Sequence, residues 1–144
     1  MDPSCLAHAL TSEESERFET DGYFVMDSIL PEALLGKLEA AADRVYREEQ
    51  ERRGRPDGAM LNQLDFIGRD DAFLDLLDYP QTFPKVWGIL GWNIQLYHTH
   101  MIITPPDPDA ADRPPRRLGW HQDTGRLKAE MEGDPRPRVS LKVA

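Results

Sequence analysis

The sequence predicts an α+β domain with helices first and strands afterwards, the order that suits a β-sandwich padded by helices. Three stretches carry that prediction. Residues 11–53 hold two helix patterns with start and stop signals. Trp92 to Thr104 reads as the clearest long strand, and Val139 to Ala144 as a further strand.

Thr11-Ser12-Glu13-Glu14 opens the first helix, with Thr11 and Glu14 spaced for a capping box. Asp21-Gly22 ends it, because glycine accepts left-handed geometry. Tyr23-Phe24-Val25-Met26 is aromatic and β-branched and predicts a strand. Pro31 opens a second helix, where its missing N–H costs nothing. Leu34, Leu38, Ala41, Ala42 and Val45 form its apolar stripe, and the charged run Arg47 to Arg53 is expected to be a solvated helix end before Gly54. Residues 54–59 predict a loop and Met60 to Ile67 an extended segment. Ala72 to Leu77 and Phe83 to Leu90 predict short helices, ended by Pro80 and Gly91.

In the long strand, Ile94, Leu96, His98, His100 and Ile102 share one face; Gln95, Tyr97, Thr99, Met101 and Ile103 share the other. Both faces carry apolar residues, which suits a double-layered sheet or barrel. Residues 105–117 hold five of the 12 prolines and predict a surface loop, and residues 125–138 a second polar loop.

The 144 residues fit one domain or part of one. A net charge of −9 argues against nucleic acid or an anionic membrane surface as a partner. No stretch approaches the ~18 consecutive apolar residues of a membrane span. The N-terminus has no signal-peptide pattern, so a cytoplasmic protein is expected. The single cysteine, Cys5, excludes an internal disulfide and falls in an expected flexible tail, residues 1–9.

His121-Gln122-Asp123 carries the most chemistry. A His and an Asp two positions apart on an extended segment point to one side. Together they can supply two of the three ligands of a facial triad that holds Fe(II). Spacing by itself decides little: with four histidines and 15 aspartates, about 0.4 such pairs arise by chance. His98 and His100 share a strand face, but Ile94, Leu96 and Ile102 beside them favour buried, hydrogen-bonded histidines over metal ligands.

Two groups of residues also resemble a known family. Leu10-Thr11-Ser12-Glu13-Glu14 through Asp21-Gly22-Tyr23-Phe24-Val25, followed by a helix at 31–53, resembles the opening of the phytanoyl-CoA dioxygenase family. His98-Thr99-His100-Met101-Ile102-Ile103-Thr104-Pro105-Pro106-Asp107, a loop, and then His121-Gln122-Asp123 are similar to it in order and spacing. The resemblance covers essentially the whole chain. It implies a double-stranded β-helix (jelly-roll, cupin-like) with N-terminal helices. It also implies a non-haem Fe(II)- and 2-oxoglutarate-dependent dioxygenase that hydroxylates a C–H bond of a small molecule or acyl thioester, with release of succinate and CO₂. His121 and Asp123 match the first two iron ligands. Gln63, His100 and Lys142 match positions that contact 2-oxoglutarate, although His100 and Lys142 depart from the residue types usual there. An ordinary strand lysine is the other reading of Lys142. Halogenating relatives lack the aspartate, so Asp123 implies hydroxylation.

The family's distal iron-ligating His and its 2-oxoglutarate-anchoring Arg lie in later strands. Only 21 residues follow Asp123, and none is histidine. The expectation is therefore a single partial domain over residues 1–144. It comprises the tail, a helical part at 10–91 and the first part of the β-helix core at 92–144. A missing C-terminal half or a partner chain would complete it. The alternatives are a non-catalytic binding module, or a cupin-like structural domain in which His121 and Asp123 merely hydrogen-bond loops.

Overall fold

The structure is a computed structural model that describes residues 3–106, 119, 121, 123–135 and 137–144. The proline-rich loop from 107 onward, with Leu118, Trp120 and Gln122, lies outside the described residues. The chain divides into two compact units, Met1–Pro106 and Asp107–Ala144.

The first unit begins with a 3₁₀ helix, Pro3–His8, where a tail was expected. Helix α1, Ser12–Asp21, starts at the capping box read from the sequence. The Glu14 N–H donates to Thr11 Oγ1 at 3.2 Å, and the Thr11 N–H donates to Glu14 Oε2 at 2.9 Å. Gly22 closes the helix with φ of 81°, its N–H on the Phe18 carbonyl. Helix α2, Glu32–Arg53, runs from Pro31 to a left-handed Gly54. Strand β1 is Leu61–Leu64, and 3₁₀ helices follow at Phe66–Arg69 and Asp71–Leu76. Helix α3 is Phe83–Leu90, and strand β2 is His100–Ile103.

The two strands pair antiparallel, with Leu61 opposite Ile103, Gln63 opposite Met101 and Leu64 opposite His100. One face of this ribbon, carrying Leu61, Gln63, Met101 and Ile103, turns inward. There Ala41 and Val45 of α2 meet Phe73, with Leu38, Ala42, Phe66, Ile67 and Met101 packed around them. Phe66 and Phe73 meet edge to face at 4.9 Å. The other face, with Asn62, Leu64, His100 and Ile102, is exposed.

Several strand expectations are corrected. Tyr23 to Met26 forms no strand among the described residues, and Tyr23 and Val25 are each 66% exposed. Among the described residues, the long strand is in a ladder at His100–Ile103, with the Thr99 carbonyl accepting from the Asp65 N–H at 2.8 Å. Asp65 adopts φ of 53° and turns β1 into a 3₁₀ helix, so residues 92–99 have no strand opposite them among the described residues. His98, before the paired segment, and His100, on the outward face of the ribbon, are exposed where buried histidines were expected. Val139 to Ala144 is likewise unpaired among the described residues, and helix α4, Gly125–Glu130, occupies part of the expected polar loop.

The charged end of α2 is also more than a solvated face. Glu49 has no solvent exposure. Arg52 and Arg53 bind its Oε2 at 2.6 and 2.8 Å, and Arg69 binds Oε1 at 2.8 Å. The guanidinium of Arg52, helped by that of Arg53, holds this carboxyl down to about 2 against the opposing effect of burial.

Candidate metal centre

Three of the five residues singled out from the sequence meet within the second unit. His121 and Asp123, two positions apart, lean the same way, and Nε2 of the imidazole stands 3.2 Å from Asp123 Oδ1. The other ring nitrogen, Nδ1, donates to the Gly119 carbonyl at 2.9 Å. Lys142 reaches back from the terminal extended segment, its Nζ 2.5 Å from Asp123 Oδ2. The Lys142 ammonium, by hydrogen bond and then by charge, holds the Asp123 carboxyl below the usual range, and His121 adds to the effect. About half of each of the His121 and Asp123 side chains faces solvent.

These atoms fit two adjacent ligands of one ion. Metal–ligand bonds of about 2.0–2.2 Å at right angles put neighbouring donors about 3 Å apart. The observed 3.2 Å is close to that edge. With Nδ1–H on a backbone carbonyl, the Nε2 contact to Asp123 Oδ1 is a hydrogen bond from the second ring proton, and an ion bound here would take the place of that proton and make Nε2 its ligand. A carboxylate bound through one oxygen keeps the other for a neighbouring cation, here Lys142. No group of three or more His, Cys, Asp or Glu side chains is placed to hold a metal among the described residues.

Gln63 and His100 belong to the first unit and are not brought together. Gln63 lies on the inward face of the ribbon, where its carbonyl oxygen accepts from Arg53 at 2.7 Å and its amide donates to the Leu64 carbonyl at 2.7 Å. His100 lies on the outward face, with Nε2 on Asn62 Oδ1 at 2.6 Å. Arg53 and Asn62 were not among the residues singled out. The spacing of Glu49 with Arg52 and Arg53, at i+3 and i+4, was the signal for the arginine cluster; nothing local marks Asn62.

Compared with protein-family models, with curated proteins and with solved structures, the chain matches none. Among the described residues, no helix is long and apolar enough to cross a membrane.

Proposed function

We propose that this chain contributes the His-x-Asp part of the iron centre of a non-haem Fe(II)- and 2-oxoglutarate-dependent hydroxylase of the phytanoyl-CoA dioxygenase type, built on a double-stranded β-helix and acting in the cytoplasm on a small molecule or acyl thioester. One observation carries the reading: His121 Nε2 stands 3.2 Å from Asp123 Oδ1 while Nδ1 is fixed by the Gly119 carbonyl. When bound, Fe(II) with 2-oxoglutarate supplies oxidative hydroxylation of an unactivated C–H bond. His121 would hold the ion through Nε2, with Gly119 setting the tautomer. Asp123 would hold it through Oδ1, and Lys142 would keep Oδ2 occupied so that the carboxylate binds through one oxygen. The third donor comes from outside the described residues. A 2-oxoglutarate contact from the Gln63 amide nitrogen would compete with the Leu64 carbonyl, and one from His100 Nε2 with Asn62.

Anaerobic titration with Fe(II) and 2-oxoglutarate tests this through the weak visible charge-transfer band of the chelate. The band is expected at high metal excess and is expected to vanish in His121→Ala. A band that survives this substitution, or none at any excess, removes the reading.

The Lys142–Asp123 pair favours a second reading, a non-catalytic module. Asp123 already has cationic and imidazole neighbours, so the cluster is electrostatically satisfied as a structural tie. In that case His121→Ala lowers the melting temperature, and Fe(II) leaves the wild type unchanged.

A further inference from the structure

His100, on the outward face of the β1–β2 ribbon, and His98, two residues before it, form a second pair of metal-competent side chains. His98 and His100, two residues apart, lie on one side of the extended chain with ring centroids 5.6 Å apart. Both are exposed. Asn62, diagonally across the ribbon from His100, fixes the tautomer of that ring. Its Oδ1 only accepts, so His100 Nε2 donates and Nδ1 keeps a free lone pair. Anchoring one ring nitrogen on an oxygen while the other stays bare is how proteins prepare a histidine to bind a metal.

The spacing suits chelation. With metal–nitrogen bonds of about 2.0–2.1 Å, two imidazoles on one ion have centroids about 4.5 Å apart at a right angle and about 5.2 Å apart at a tetrahedral angle. The observed 5.6 Å is close to the tetrahedral value, and the rings are already tilted by 58° to one another. Exposed side chains close that gap by rotating about χ1 and χ2.

We infer that His98 and His100 form a two-histidine chelate for a late first-row divalent ion, with Asn62 as a positioning residue and water completing the coordination. Imidazole donors with no carboxylate favour Cu(II), Ni(II) and Zn(II) over harder ions, and the stability order puts Cu(II) first. The proposal uses residues of the first unit and does not depend on the oxygenase reading.

The test uses the 144-residue chain carrying His121→Ala, so that the other candidate site does not contribute. Zn(II) binding is followed by calorimetry and Cu(II) by electron paramagnetic resonance, with each metal added alone. One ion is expected, with two imidazole nitrogens in the Cu(II) spectrum. His98→Gln is expected to weaken Zn(II) binding by more than tenfold, and Asn62→Leu by about tenfold through loss of the anchor. Circular dichroism checks that each exposed-site variant keeps its fold. Wild-type affinity in His98→Gln, or a Cu(II) spectrum without two imidazole nitrogens, overturns the assignment.

Discussion

Glu49 is the side chain that the fold treats most unusually. It is a carboxylate without solvent exposure, neutralised by three guanidinium groups. Removing one partner of a buried pair costs about 3–5 kcal/mol when both charges are buried. Here the Arg52 side chain stays 63% exposed, so Glu49→Gln is expected to cost less, about 2 kcal/mol, measured by urea unfolding at neutral pH. The pH dependence follows from the carboxyl's folded value of about 2 against an ordinary 4.5. A depressed carboxyl contributes stability that is present above the ordinary value and lost as pH falls toward the folded one. Wild type is therefore expected to lose more stability than Glu49→Gln between pH 5 and pH 2. Parallel curves for the two proteins would show that the arginines do not act through this carboxylate.

Helices and strands differ in how much of their cause lies nearby. The Thr11–Glu14 box and the Gly22 stop of α1 are contacts within four residues, so they are legible in the sequence. The same holds for Pro31 and Gly54 around α2. Strands need a neighbour. Alternation correctly put His100 and Ile102 on one face of β2 and Met101 and Ile103 on the other, but it could not say which face would be covered. Nor could it show that a left-handed Asp65 would end β1 after four residues.

Helix α3 offers a direct check on packing. A Cβ placed on Gly88 would lie 2.7 Å from the Cβ of Leu10. Alanine gains about 1 kcal/mol in helix propensity over glycine, but overpacking costs about 1–3 kcal/mol. Leu10 Cβ sits next to the backbone and cannot swing away. Gly88→Ala is therefore expected to destabilise by about 1 kcal/mol, seen as a lower melting temperature. A rise instead would mean that Leu10 does not pack there.

For the molecule as a whole, the iron reading requires three ligands, and the described residues place two in contact. Two ligands hold a metal far less firmly than three, and they orient a cosubstrate poorly. The isolated 144-residue chain is therefore expected to show no 2-oxoglutarate turnover, with succinate formation as the assay. A substantial rate would require a third donor supplied by this chain itself.

Composition, capping signals and the His121–Asp123 spacing were settled locally. Charge is a sum over residues, helix ends are bonded within a turn, and His121 and Asp123 are only two positions apart, although Asp123 lies in the turn that leads into α4 rather than on a strand. The fold decided what depends on distant partners. Lys142, 19 positions beyond Asp123 in the chain, takes up its second oxygen. Arg53 satisfies Gln63, and Asn62 across the ribbon sets the tautomer of His100. The outward face of β2, with His100 and Ile102, is exposed. Pairing and burial are relations between remote segments, and a linear sequence does not specify which of those segments meet.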